Sequence, residues 1–78
     1  MLDKDVCRFS ASFGLTPAET RVLREIIGGN GILAAAAALN ISEATARTHA
    51  RHIYGKTGTK RQTELIHRFF AAAFHAAP

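Results

Sequence analysis

Apolar residues recur at intervals of three and four along most of this 78-residue chain, and that spacing places them on one face of an α-helix. No segment alternates apolar and polar residues at period two, so the predicted fold class is all-α, a small four-helix bundle. The N-terminal segment, 1–13, is either a short extra helix, with Val6, Phe9 and Phe13 on one side, or a linker, and the domain proper is expected to span 14–76. The four predicted helices of the bundle cover about 17–27, 32–39, 43–57 and 61–76.

The boundaries of these helices are marked by residues that favour helix ends. Thr16 stands at an N-cap position, with Pro17 at the first helical position and Glu19 at the third, which is the sequence of a capping box. Ser42 is placed to cap the helix over 43–57. Glycine and asparagine tolerate the left-handed backbone in which many helices end. Residues of this kind that follow a predicted helix are Gly28, Gly29, Asn40 and Gly58.

The helix over 43–57 divides its residues between two faces. At about 100° per residue, four side chains fall within about 40° of one line and are predicted to face the core. They are Ala46, Ala50, Ile53 and Thr57. The opposite face and its flanks carry Thr45, Arg47, Thr48, Arg51, His52 and Lys56. Arginine matches the O6 and N7 acceptors of guanine, and threonine can contact a base edge or a thymine methyl group. A short helix, a three-residue turn and this basic helix together have the form of a helix-turn-helix, whose second helix enters the major groove.

The distribution of charge favours a polyanionic partner. The chain carries a net charge of +4, and all of it lies in residues 41–78, because acids and bases balance in residues 1–40. Between Ala44 and Thr63 there are five basic residues and no acidic one. Such an asymmetry is typical of a surface that binds nucleic acid, although a solvated basic face has the same composition.

Several classes of protein are excluded by composition and spacing. The longest apolar run has eight residues, whereas a membrane-spanning helix needs about 20, so no membrane segment is expected. The single cysteine, Cys7, forms no disulfide within the chain and suits a cytoplasmic location. His49 and His52 are one turn apart but lack a third metal ligand at a matching spacing, and no serine has an evident His/Asp partner. We therefore expect no enzyme activity, no metal and no cofactor.

Two stretches of the chain resemble the LuxR/GerE-type helix-turn-helix domain of bacterial transcription regulators. They are LTPAETRVLREIIGGNG and AAAALNISEATARTHARHIYGKTGTKRQTELI, and the resemblance covers about 15–68. It implies a four-helix domain whose third helix enters the major groove of double-stranded DNA and whose fourth commonly forms the dimer contact. The implied function is sequence-specific DNA binding and regulation of transcription. The chain is then either a stand-alone regulator or the C-terminal part of a longer protein, with RNA polymerase or a sensor domain as further partners.

The resemblance also implies which residues contact DNA. Arg47, Thr48 and Arg51 match positions that reach base edges or neighbouring phosphates. Thr45 and Lys56 match positions that face the DNA backbone. Together with the outward histidine and the basic pair before the last helix, the predicted DNA-binding residues are Thr45, Arg47, Thr48, Arg51, His52, Lys56, Lys60 and Arg61.

Two positions need a separate interpretation. His49 matches a family histidine, but its angle, about 60° from the core line of its helix, predicts a half-buried structural role. Gln62 stands where the family usually has an arginine, and Lys60 and Arg61, just before it, are expected to supply that charge.

The last predicted helix has an apolar arc wide enough for two contacts. The residues predicted to face the core of the domain are Leu65, Phe69, Ala72 and Ala76. Phe70 and Phe74 fall on the far side and are predicted to form the contact of a homodimer. In the alternative, the same two rings pack on the N-terminal segment of their own chain.

Two other functions have to be separated from regulation through direct DNA contact. A protein-interaction or dimerisation module would also use the wide apolar arc of 61–76. The last domain of a sigma factor contains a similar two-helix unit, but the GKTGTKRQTEL stretch and the last helix fit that domain poorly. DNA binding is expected to weaken steeply with salt, whereas an apolar contact between proteins is expected to change little.

Overall fold

The computed structural model describes residues 2–75, and these residues form five α-helices and no strand. The predicted all-α fold is therefore confirmed for this part of the chain. The helix bounds agree closely with the predicted ones, except that Ala76, the predicted end of the last helix, lies outside the described residues. No described helix is long and apolar enough to cross a membrane. The helices are α1 (Leu2–Phe13), α2 (Pro17–Ile27), α3 (Ile32–Leu39), α4 (Glu43–Thr57) and α5 (Gln62–His75).

Side-chain caps and left-handed residues set the helix ends, as the sequence predicted, except at Gly28. This residue follows α2 with a right-handed backbone (φ −73°), and the positive φ angle falls on Gly29 (101°). At the start of α2, the Thr16 hydroxyl accepts a hydrogen bond from the Glu19 amide (3.1 Å), and the Glu19 carboxylate accepts one from the Thr16 amide (3.0 Å). The Ser42 hydroxyl accepts a hydrogen bond from an amide in the first turn of α4 (3.0 Å). Asn40 and Gly58 end α3 and α4 with φ angles of 56° and 70°, a conformation that costs these two residue types little.

α2 lies at the centre of the bundle and contacts each of the other four helices. Its residues Val22, Leu23 and Ile26 are fully buried. α3 packs on α2 and α4 and buries Ala35 and Ala36, whose small side chains allow the helices to approach closely. The alanine-rich helix α3 thus forms a packing seam between α2 and α4. The other large and fully buried side chains of the core are Val6, Ile53, Leu65 and Phe69.

α1 is part of the folded domain. Val6 and Phe9 are buried in the same hydrophobic cluster as the core residues of α2, α4 and α5. The Phe9 ring meets the Phe69 ring edge-on, with their centroids 5.4 Å apart. The Asp3 carboxylate pairs with the Arg24 guanidinium of α2 at 3.0 Å. Of the two forms expected for the N-terminal segment, the described residues take the helical one, and its apolar side completes the core.

α5 departs from its predicted division into two faces at two positions. Leu65 and Phe69 are buried, as predicted, but Ala72 is exposed, because it lies at the edge of a cleft between α1 and α5. Phe70, predicted to lie on the far side, is half-buried and packs against the core cluster, with its ring 5.2 Å from that of Phe69. Phe74 is 76% exposed, so the alternative in which both rings pack inside their own chain is wrong for Phe74.

Candidate nucleic-acid interface

α4 has one buried face and one exposed face, as its sequence predicted. Its buried residues are Ala46, Ala50, Ile53 and Thr57. Its exposed face carries Arg47, Thr48, Arg51, His52 and Gly55. A Cβ atom added at Gly55 would meet no atom within 4 Å, so the packing of this domain does not require a glycine there. A partner can therefore approach the backbone of α4 closely at this position.

The turn between α3 and α4 holds the two helices in a fixed relation. The Asn40 amide donates to the Ala37 carbonyl (3.2 Å), and the Ile41 amide donates to the Ala36 carbonyl (3.0 Å), so the turn is bonded to the last turn of α3. The Ile41 side chain packs against the core, and Ser42 then caps α4. A short helix, a three-residue turn and a second helix with an exposed basic face form a helix-turn-helix unit.

The central residues of the exposed face differ in the contacts that their side chains make within their own chain. The Arg47 guanidinium pairs with the Glu43 carboxylate, one turn earlier in α4. The Thr48 hydroxyl donates to the Ala44 carbonyl (3.0 Å), and Arg51 extends from the same face as an exposed side chain. An exposed ion pair contributes about 0–1 kcal/mol, so the pairing of Arg47 leaves this side chain available to a stronger ligand.

Three further predicted DNA-binding residues lie near the two ends of α4. Near the start of α4, the exposed Thr45 hydroxyl accepts a hydrogen bond from the Ser42 hydroxyl (2.9 Å). After the end of α4, Lys60 and Arg61 are exposed in the turn that leads into α5. The Lys60 amide donates to the Glu64 carboxylate (2.8 Å), which orders this turn. Cationic side chains are thus available beyond the C-terminal end of α4.

Glu19 joins α2 to α4 through a buried carboxylate. Its side chain is 4% exposed. Its Oε1 atom accepts hydrogen bonds from the Lys56 ammonium (2.7 Å) and the Thr16 amide (3.0 Å), and its Oε2 atom lies 3.4 Å from His52 Nδ1. The Lys56 ammonium also donates to the Gly14 carbonyl (3.2 Å). One carboxylate therefore completes the cap of α2 and anchors two residues of α4.

These contacts lower the pKa of Glu19. Burial by itself raises the pKa, because it disfavours the charged carboxylate, but the hydrogen bonds from Lys56 and the Thr16 amide and the positive charges of Lys56 and His52 outweigh it. The carboxylate is therefore ionised at neutral pH, although it is buried. Sequence reasoning missed this role, because a glutamate at the third position of a helix is already explained as a capping residue, and nothing in the spacing of residues 19 and 56 pointed to a contact.

The Glu19 contacts bear on two of the predicted DNA-binding residues. Lys56 was expected beside the phosphate backbone. Its ammonium contacts two oxygens of its own chain, and its side chain is 36% exposed. His52 keeps 59% of its side chain exposed. Because Nδ1 of its ring faces Glu19, Nε2 is the nitrogen available to a ligand. The exposed face thus brings His52 together with the two arginines, whereas Lys56 is tied to α2.

The two histidines of α4 lie in different surroundings. His49 is half-buried, as predicted, and its Nδ1 atom is buried without a hydrogen-bond partner among the described residues. His52 lies on the exposed face beside Glu19. Within residues 2–75, no group of three histidine, cysteine, aspartate or glutamate side chains is placed to hold a metal ion.

A comparison with protein families supports the helix-turn-helix assignment. Residues 14–69 match the family model described as bacterial regulatory proteins, luxR family. The matched range contains α2, α3 and α4 and the first half of α5, and it leaves α1 outside. Comparisons with curated proteins and with solved structures gave no match. Because the matched range is well over half of the chain, the chain belongs to the luxR family of bacterial regulatory proteins, as the resemblance of its sequence indicated.

Proposed function

We propose that this domain binds double-stranded DNA in a sequence-specific manner and regulates transcription, with α4 in the major groove. Membership of the luxR family implies DNA-binding transcription regulation. The observation that supports the specific proposal is the exposed face of α4, on which Arg47, Thr48 and Arg51 lie together. The major groove is wide enough to admit an α-helix, and these side chains carry hydrogen-bond donors that match acceptor atoms on the base edges.

Three residues are assigned to the bases. Arg47 and Arg51 each present a planar fork of donors, which matches the O6 and N7 atoms of guanine in a bidentate contact. Thr48 lies between them in the sequence and can donate to a base edge or pack on a thymine methyl group. These contacts would carry the sequence preference of the domain.

The residues around this group are assigned to the DNA backbone. Thr45 lies near the start of α4, and Lys60 and Arg61 lie beyond its end, so together they can hold the helix in register along the groove. In its imidazolium form, His52 can donate from Nε2 to a phosphate while its Nδ1–H stays beside Glu19. Lys56 is assigned a different role, since its ammonium already holds Glu19: it fixes α4 on α2.

We further propose that the domain acts as a homodimer through α5. Phe74 is 76% exposed, and its ring stacks on that of the half-buried Phe70 at 6.3 Å. An exposed apolar patch of this kind marks a contact between proteins. Two domains related by a two-fold axis would place their α4 helices in major grooves one turn apart, roughly 34 Å along the duplex.

Selection of duplexes from a random-sequence pool tests the proposed function and defines the preferred site. Arg47→Ala and Arg51→Ala are each expected to weaken binding to that site by about 1–3 kcal/mol and to flatten discrimination there. Arg24→Ala is the matched control, because it removes the same charge from a side chain that pairs with Asp3 of α1. Its effect on preferred and random duplexes should be small and equal. A pool without enriched sequences would refute sequence-specific binding, and equal losses on both duplexes for Arg47→Ala and Arg51→Ala would refute their contact with bases.

The exposed Phe74 ring favours a second candidate, a protein-interaction module that makes no direct contact with DNA. Salt dependence separates the two functions. Binding to DNA through phosphates weakens by orders of magnitude between low and moderate salt, because counterions are released. An apolar contact between proteins changes little over the same range.

A further inference from the structure

The imidazole ring of His52 has one nitrogen beside a buried anion and the other on the exposed face of α4. Its Nδ1 atom lies 3.4 Å from Glu19 Oε2, and the Glu19 side chain is 4% exposed. The hydrogen bonds from the Thr16 amide and the Lys56 ammonium both go to Glu19 Oε1. Among the described residues, Oε2 is therefore left to His52. The fold thus fixes an anion at Nδ1 and leaves Nε2 to a ligand.

The surface of α4 next to this ring is open to a large ligand. Gly55 lies about one turn after His52 on the exposed face, and a Cβ atom added there would meet no atom within 4 Å. Glycine is unfavourable inside a helix relative to alanine, and the packing of this domain does not require it. Because residue 55 has no side chain, the backbone of a duplex can come close to the helix beside His52.

Glu19 is the acidic group that faces His52 in the described part of the chain. α2 and α3 pack most closely on α4, and α3 has no ionisable side chain. The other ionisable groups of α2 are engaged elsewhere or turned away. Arg24 pairs with Asp3 of α1, and the Glu25 carboxylate accepts a hydrogen bond from the Asn30 side chain. Arg21 lies about 200° from Glu19 around the helix. The ionisable neighbours of His52 within about one turn of α4 are all basic, namely His49, Arg51 and Lys56.

A DNA phosphate at Nε2 gives the His52 ring an acceptor at each nitrogen. The Glu19 carboxylate is ionised at neutral pH, and an ionised carboxylate, like a phosphodiester, accepts hydrogen bonds but donates none. Neutral imidazole carries a hydrogen on one nitrogen and can serve one acceptor, whereas imidazolium carries a hydrogen on both and can serve two. The contacts with the phosphate and with Glu19 therefore exist together when His52 is protonated.

We propose that Glu19 is a positioning residue for a phosphate contact of His52, and that this contact forms with His52 as the imidazolium, so that DNA binding takes up a proton. The inference rests on the DNA binding proposed above and specifies one of its contacts. Because the bound state holds more protons, affinity falls as the pH rises through the range in which histidine loses its charge, ordinarily around pH 6.5. A phosphate carries no sequence information, so preferred and random duplexes are affected equally.

The dependence of duplex affinity on pH at constant ionic strength tests the proton uptake. Between about pH 6 and about pH 8, the unmodified chain is expected to lose roughly tenfold in affinity, the effect of one added counter-ion on a histidine. Titration calorimetry in buffers that differ in ionisation enthalpy is expected to show net uptake of protons on binding. His52→Gln is expected to lose the uptake and most of the dependence on pH. His67→Gln is the matched control, because it removes an exposed histidine of α5 and should keep both.

Two results of this experiment would contradict the inference. A dependence on pH that is as steep in His52→Gln as in the unmodified chain would overturn it, because another group would then carry the proton. A dependence confined to the preferred duplex would overturn the assignment of His52 to a phosphate.

Glu19→Gln separates positioning from a merely structural role. Without the anion at Nδ1, a neutral ring can donate from Nε2 alone, so duplex binding is expected to persist while its pH dependence falls from roughly tenfold to below about threefold. Thr16→Ala is the matched control. It removes the hydroxyl that caps α2 and leaves the Glu19 carboxylate beside His52, so it should keep the full dependence. Equal flattening in the two variants would overturn the positioning role.

The same measurements keep this inference separate from the proposed function. Binding that is tight at every pH, with no uptake of protons, would overturn the role of Glu19 and His52 and leave DNA binding intact. Absence of binding to any duplex across the whole pH range would refute the proposed function, and this inference with it.

Discussion

Glu19→Gln is expected to destabilise the domain by about 1–2 kcal/mol, because it removes the charge that ties α4 to α2. Glutamine keeps an oxygen that can accept from the Thr16 amide, so the cap of α2 persists. The same oxygen can still accept from the Lys56 ammonium, but the substitution removes the negative charge that strengthens this 2.7 Å hydrogen bond. A hydrogen bond to a charged group contributes about 1.5–3 kcal/mol. The Lys56 side chain is 36% exposed and can turn to water when its partner is lost, which places the expected cost at the low end of that range.

A double-mutant cycle isolates the interaction energy between Glu19 and Lys56. The free energies of unfolding of the unmodified chain, Glu19→Gln, Lys56→Gln and the double variant are measured by urea denaturation at neutral pH. We expect a coupling energy of about 1 kcal/mol or more, since the two groups are in direct contact and one of them is buried. The control cycle uses Glu43 and Arg47, an exposed pair one turn apart in α4, whose coupling should stay below about 0.5 kcal/mol. Equal coupling in the two cycles would refute the role assigned to the buried carboxylate.

The effect of Glu19→Gln on the free energy of unfolding is expected to depend on pH, and the sign of this dependence follows from the lowered pKa of Glu19. A carboxylate with a lowered pKa in the folded state contributes its stabilisation above its ordinary pKa, near 4.5, and loses it as the pH falls through the lowered value. The difference in unfolding free energy between the unmodified chain and Glu19→Gln is therefore expected to be largest near neutral pH and to shrink below pH 4.5. A difference that stays constant through the acidic range would show that the carboxylate is not held as an ion.

Three further predictions concern the DNA backbone, the core and the dimer. Lys60→Ala is expected to weaken binding to all duplexes similarly and to reduce the slope of log affinity against log salt concentration by roughly one unit. Lys56→Ala should leave this slope closer to that of the unmodified chain. An unchanged slope for Lys60→Ala would exclude a phosphate contact. Ile53→Ala empties a fully buried position and is expected to cost about 2–5 kcal/mol, and a melting temperature equal to that of the unmodified chain would contradict the assigned faces of α4. Phe74→Glu is expected to stay folded, become more monomeric and lose affinity for a two-half-site duplex while still binding one half-site; loss of folding with unchanged association would argue against the dimer contact.

The helices and their ends follow from the sequence, because their signals are local. The hydroxyl of Thr16 and the carboxylate of Glu19 reach amides of the same helical turn. Asn40 and Gly58 end their helices because they tolerate a left-handed backbone. Such features depend on a few neighbouring residues and are therefore visible in one sequence.

The division of α4 into two faces also follows from the sequence. Its period of 3.6 residues separates the buried Ile53 from the exposed Arg47, Thr48 and Arg51 whatever the rest of the domain does. For this reason the centre of the candidate site was predicted correctly as an exposed face. The resemblance of the chain to its family rests on the same local patterns.

The tertiary structure decided which of these residues are already engaged within the chain. Glu19 and Lys56 are 37 residues apart, and they meet because α2 crosses α4, so an outward angle on α4 did not show that Lys56 is held by a buried carboxylate. The apolar residues of α5 likewise lie on several sides of that helix. Only the packing of the other helices shows that Phe70 is half-buried against the core, that Ala72 is at the edge of a cleft and that Phe74 is exposed. Periodicity tells which residues share a side of a helix, whereas the neighbour that covers each side depends on contacts between segments far apart in the chain.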